Sequence, residues 1–106
     1  MNNVQKLLTL AQSHIAQGWC QGEPARDKNG RAVYPESSDA MQFCLAGAVI
    51  RELNVGRYSS VMGSQISRLF EGILGEPYAS WNDSPDRTQL EVFDVFSLAI
   101  AMAGDE

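Results

Sequence analysis

Histidine, cysteine and clustered positive charge are all scarce in this chain of 106 residues, and each shortage removes a class of function. His14 is the single histidine, and Cys20 and Cys44 are the only cysteines. A structural zinc site takes four nitrogen or sulfur ligands, more than these side chains supply, so neither a metal nor a cofactor is expected. The two thiols match the reduced state of a cytoplasmic protein, and a cytoplasmic location is the expectation. The eight Lys and Arg residues are scattered from Lys6 to Arg87. They form no stripe that would displace condensed counterions, so no nucleic-acid partner is expected. Thirteen acidic residues leave a net charge of -5, which serves solubility first and steering toward a basic partner second. No run approaches the roughly 20 apolar residues of a bilayer span. The opening "MNNVQKLL" lacks the basic and then apolar pattern of a signal peptide, and no membrane partner is expected.

What is present is helical periodicity. Val4, Leu7, Leu8, Ala11 and Ile15 recur at three and four spacing, which predicts an amphipathic first helix capped by Asn2 or Asn3 and stopped by Gly18. From Trp19 to Ser38 the chain changes character, because Gly22, Pro24, Gly30 and Pro35 interrupt any helix and "DKNG" is a turn signal. The flanks, Ala25-Arg26 and Arg31-Ala32-Val33-Tyr34, are matched as a short hairpin that must lean on the helices. The second helix is expected from a cap at Ser38 or Asp39, through the apolar run Phe43 to Ile50, to Asn54 and Gly56. That run is apolar on all sides and so buried on all sides, with Cys44 inside it and Ala46, Gly47 and Ala48 admitting a close neighbouring helix.

A third helix follows a cap at Ser59 or Ser60, with Val61 or Met62, Ile66, Leu69, Phe70 and Ile73 as its stripe and Gly75 as its stop. Thr88 and Glu91 form a capping box for the last helix. Leu90, Phe93, Phe96 or Ser97, and Ile100 are assigned to its inward face, widened by Val92, Val95, Leu98 and Ala99. The tail 104 to 106 is expected to fray. The expected fold is therefore all-α: one compact helical domain over 1 to 106, a bundle of four main helices with a short hairpin-like insertion between the first two.

Two loops carry the chemistry. "GWCQG" holds Trp19, Cys20 and Gln21, and "SWNDSPDR" holds Trp81, Asn82 and Asp83, each beside a helix boundary. Asp83, Ser84 and Asp86 suit a turn, and a tryptophan before such a turn commonly plugs the end of a bundle. If the loops converge, they form a concave patch with indole walls and carboxamide donors and acceptors, which suits a polar planar ligand or a peptide. The same groups suit a structural network equally well. The sharpest catalytic arrangement is a thiol at Cys20 or Cys44, His14 as base, and Asn82 or Asp83 orienting the imidazole. A thiol in an apolar helix keeps a raised pKa, which argues against Cys44. No carboxylate pair and no glycine-rich phosphate loop stands out.

In order and spacing, "GWCQG", "MQFCLAGAV" and "WNDSPDRTQLEVFDVFSLAIAMA" resemble a family of small bacterial and phage proteins known as a domain of unknown function. The middle element reads Cys44-Leu45-Ala46-Gly47-Ala48, and the last Trp81-Asn82-Asp83. The resemblance implies no activity to carry over. Its association with phage and mobile elements implies an accessory role and a host protein partner, with 54 to 76 as the more variable, partner-specific stretch. The leading functional expectation is a non-enzymatic interaction or regulatory module. The alternative is a small enzyme or ligand binder whose pocket lies at the two tryptophan loops.

Overall fold

The computed structural model describes residues 1 to 104. Helix α1, Asn3–Gln17, starts where Asn2 and Gln5 cap each other's backbone amides in a capping box. Its apolar stripe at Leu7, Leu8, Ala11 and Ile15 is buried as the three and four spacing requires. Helix α5, Gln89–Ala103, starts on the Thr88–Glu91 capping box and runs antiparallel along α1. Amide side chains stitch the pair at intervals: Asn2 Nδ2 donates to the Ala103 carbonyl, Gln5 Nε2 to Ile100, Gln12 Nε2 to Phe93, and Gln89 Nε2 to Ile15, at 2.8 to 3.0 Å. Gly104 caps α5; the rest of the expected frayed tail, Asp105 and Glu106, lies outside the described residues.

Helix α2 spans Leu45–Val55, α3 spans Ser60–Leu74, and a five-residue helix α4, Tyr78–Asn82, precedes α5. Among the described residues the fold is thus predominantly α, with four main helices, a short fifth one and a minimal sheet. Among the described residues no helix is long and apolar enough to cross a membrane. The core gathers Leu7, Leu8, Ile15, Val49, Ile66, Phe70, Val92 and Phe96 from four helices. Phe70 meets Phe96 edge-on at 5.4 Å and Tyr78 at 5.7 Å. Such aromatic pairs add about 0.5 to 1.5 kcal/mol beyond the area they bury.

Several expectations are corrected. Helix α2 does not begin at Ser38 or Asp39, because Gln42–Phe43 is spent as strand β2, antiparallel to β1, Ala25–Arg26. Cys44 is accordingly not inside the helix: it is the N-cap of α2, its sulfur accepting from the Gly47 amide at 3.2 Å. At Gly47 the close neighbour is the insertion, while α2 as a whole also packs on helix α1. A Cβ on Gly47 would sit 1.8 Å from the Pro24 carbonyl oxygen. The hairpin pairing of Ala25-Arg26 with 31 to 34 is present as a single bridge, Arg26 to Ala32, and β1 has its second partner in β2.

On α5 the inward face is Val92, Phe96, Ala99 and Ala103, while Leu90 is 67% exposed and Leu98 49%. The helix is apolar nearly all round, so periodicity alone could not orient it. Val61 of α3 is likewise exposed, its stripe being completed by Met62.

At the end of α2 the chain turns through Gly56 and Arg57. The Tyr58 amide reaches the Leu53 carbonyl at 2.9 Å and the Arg57 amide reaches Asn54 at 3.2 Å, the double closure of a Schellman motif. Arg57 takes the left-handed conformation there, φ 54°. The glycine sits one residue earlier because the Tyr58 ring packs onto it, 2.5 Å from where a Cβ would be.

Candidate functional site

Asn82, the last residue of α4, is completely buried and uses its whole hydrogen-bonding capacity. Its Oδ1 accepts from Trp19 Nε1 at 2.8 Å and from the Leu45 amide at 3.0 Å. Its Nδ2 donates to the Cys20 carbonyl at 3.2 Å and to Asp83 Oδ1 at 3.1 Å. Two acceptor lone pairs and two donors are all a carboxamide has. Leu45 is the first residue of α2, and its amide is one of the four that no helical carbonyl can reach. Asn82 therefore caps α2 from another helix, beside the sulfur cap from Cys44.

The neighbours complete the attachment. Gln21 Nε2 donates to the carbonyls of Asn82 and Ser84 at 2.9 and 2.8 Å, and the Gly22 amide donates to Asp83 Oδ1 at 3.0 Å. Residues 18 to 20 run parallel to 42 to 44, through Phe43 N to Gly18 O at 3.0 Å and Cys20 N to Phe43 O at 3.1 Å. Five of the six residues singled out in the sequence, Trp19, Cys20, Gln21, Asn82 and Asp83, meet at this junction, and Trp81 adjoins it within α4. The two tryptophans differ from a simple plug. Both are only partly buried, and the Trp19 indole N–H is held by the side-chain carboxamide oxygen of Asn82 and not by a backbone carbonyl. Trp81 lies within α4, covered by the Arg87 guanidinium 3.7 Å above its ring, while Arg87 Nε donates to the Trp81 carbonyl at 2.8 Å.

Two arginines that the sequence reading passed over, Arg26 and Arg51, secure the insertion, and a third, Arg87, covers Trp81 of α4. Arg26 donates to the carbonyls of Gln21 and Gly30, both at 3.0 Å. Arg51 of α2 donates to Pro35 at 2.7 Å and Ser37 at 3.1 Å. Arg87 stood four residues before Glu91, a spacing that marks a helix-start pair and did not mark the indole stack. His14 is engaged elsewhere, its Nε2 2.7 Å from Glu52 Oε2 and its ring 5.0 Å from that of Phe43.

Both thiols lie where the thiolate is disfavoured. Burial foremost, then the neighbouring Cys44, pushes the Cys20 thiol up to about 11, with Arg26 opposing; its sulfur donates to the Glu23 carbonyl at 3.4 Å. Burial also raises Cys44, against the pull of the Gly47 amide. A catalytic thiolate needs the opposite environment. Among the described residues no group of three or more His, Cys, Asp and Glu side chains converges where an ion could sit.

A cleft of about 590 Å³ lies on the outer side of the insertion, lined by Glu23, Pro24, Val33, Tyr34 and Pro35 among others. The sequence reading did not single it out.

The chain belongs to a family of unknown function, DUF6197, whose model matches residues 1 to 102. No curated protein and no solved structure gave a match.

Proposed function

We propose that this protein is a small cytoplasmic interaction module, an accessory protein of a phage or mobile element that binds a host protein. The observation that carries the reading is the saturation of Asn82. The side chains that looked most like a site are consumed in fastening the insertion to α4 and α2, and an insertion so fixed is a rigid platform. In this reading Trp19, Cys20, Gln21, Trp81, Asn82 and Asp83 hold the platform in place, and its outer side meets the partner. The hydrolase alternative is opposed by the raised thiol of Cys20 and by the engagement of His14 with Glu52.

The test is affinity purification of the full chain from its native host, beside the Cys20→Ser variant. The reading expects a stoichiometric protein partner that Cys20→Ser retains. Absence of any partner, together with a turnover abolished by Cys20→Ser, overturns it.

A further inference from the structure

The insertion is a two-stranded sheet, β1 and β2, with a single antiparallel bridge from Arg26 to Ala32 on the other side of β1, and the far side of that bridge is open. Strand β1 thus lies between β2 and Ala32. The Arg26 carbonyl accepts from the Met41 amide at 2.8 Å on the β2 side. On the other side the Asp27 amide donates to Arg31 and the Val33 amide to the Ala25 carbonyl, at 2.9 and 3.1 Å. These two bonds flank the Arg26 and Ala32 pair, so the N–H and C=O of Ala32 point away from β1. Neither has a backbone partner among the described residues. An edge with unpaired backbone groups is a template for one more strand.

The surface beside this edge says what kind of strand fits. Ala32 itself lines the 590 Å³ cleft, which Pro24, Val33 and Pro35 make apolar. Tyr34, 81% exposed, stands at its side as an aromatic wall. The one charged side chain lining it is Glu23, partly buried, with no hydrogen bond or ion pair from its carboxylate among the described residues. Main-chain pairing supplies affinity in strand addition, and pockets for alternate side chains supply specificity. Here the apolar cleft takes a large aliphatic or aromatic side chain, and the Glu23 carboxylate takes a lysine or arginine close by. The net charge of -5 favours the same sign of partner.

We infer that the edge at Ala32 is a docking strand for an extended segment of a partner protein that carries a large apolar residue next to a basic one. This rests on the interaction-module reading and adds the site and the chemistry of the partner. Arg51 and Arg26 hold both ends of the edge by backbone carbonyls, so the docking strand is ordered before the partner arrives.

The experiment selects twelve-residue peptides from a phage-displayed random library against the full chain, then follows the amides by NMR as each selected peptide is added. Peptides pairing a large apolar residue with Lys or Arg are expected, with shifts centred on Ala32, Val33 and Tyr34 and slowed exchange of the Ala32 amide. Ala32→Pro removes the outward N–H without costing an internal hydrogen bond, and Glu23→Lys reverses the local charge. Each is expected to weaken binding by about tenfold or more. Glu23→Lys provides the test should Ala32→Pro fail to fold. Four results overturn the inference: no enrichment, enriched peptides lacking a basic residue, binding unchanged in the variants, or sedimentation showing that two copies of this chain pair through the edge. A native partner still held by Ala32→Pro and Glu23→Lys sinks the docking strand alone. A missing partner with Cys20-dependent turnover sinks the module reading beneath it.

Discussion

Replacing Asn82 by alanine removes one side chain and leaves four groups to be accounted for. Asp83 is exposed and regains water at little cost. The Trp19 indole N–H is partly buried and regains some hydration. The Leu45 amide and the Cys20 carbonyl face the vacated volume, and each unsatisfied buried group costs about 1 to 3 kcal/mol. The expected loss is about 3 to 5 kcal/mol, a large share of the roughly 5 to 15 kcal/mol by which a domain is stable. At about 4 °C per kcal/mol for a chain of this size, the melting temperature falls by about 12 to 20 °C. Urea unfolding followed by circular dichroism measures the loss directly, through a lower midpoint at an unchanged slope.

Asn82→Asp sharpens the test. Its carboxylate would face the Cys20 carbonyl and the Asp83 carboxylate in place of a donor, which raises its folded-state pKa above the unfolded value. The folded variant then binds the extra proton more tightly, so its deficit relative to wild type shrinks as pH falls from 7 toward 5. A loss below about 1 kcal/mol in Asn82→Ala would refute the structural role, since one unsatisfied buried group alone costs that much.

Further outcomes follow from single residues. Arg57→Gly relieves a left-handed arginine and is expected to stabilise by about 0.5 to 1 kcal/mol in the same urea assay, a loss contradicting the turn geometry. Gly47→Ala drives a methyl group into the Pro24 carbonyl and is expected to cost about 3 kcal/mol or more; a neutral result would mean that the insertion is not seated on α2. Raised from 9.0 to about 11, the Cys20 thiol holds about a hundredfold less thiolate at pH 8 than a free model thiol, so iodoacetamide should modify it far more slowly. The unfolded chain loses that proton first, so thermal stability should decline as pH rises from 9 toward 11, and Cys20→Ser should flatten the decline. Glu91 is held below the usual carboxylate range, first by the Thr88 hydroxyl, and so stabilises the folded chain above the unfolded value of 4.5 and loses that contribution as pH falls through its folded value. Glu91→Gln should make the acid limb of a melting-temperature profile shallower.

The helices were legible where pattern and punctuation agreed. Asn2, Ser59, Gly75 and Thr88 mark boundaries by chemistry that acts within four residues, and the structure uses each of them. The start of α2 was not legible, because its caps are a sulfur and a side chain from 37 positions later, neither of which is a local signal. The apolar run before it also hid a strand: Gln42–Phe43 is too short to show a period of two. The meeting of Trp19 with Asn82 followed from placing both beside helix ends, and the geometry adds what the residue types left open, namely that the amide is saturated. The cleft beside Tyr34 was illegible for a different reason. An open strand edge is defined by which backbone groups lack a partner, and no residue type encodes that.

The claim on which the rest depends is that the Asn82 network belongs to the cooperative unit and does not open by itself. Native-state hydrogen exchange of the Leu45 amide measures this, because exchange of a core amide by global unfolding reports the full stability of the domain. The account predicts that the Leu45 amide exchanges with the free energy of global unfolding in the wild-type chain. Exchange of Leu45 through a local opening far below that free energy, with the core amides of α1 and α5 still protected, would contradict it.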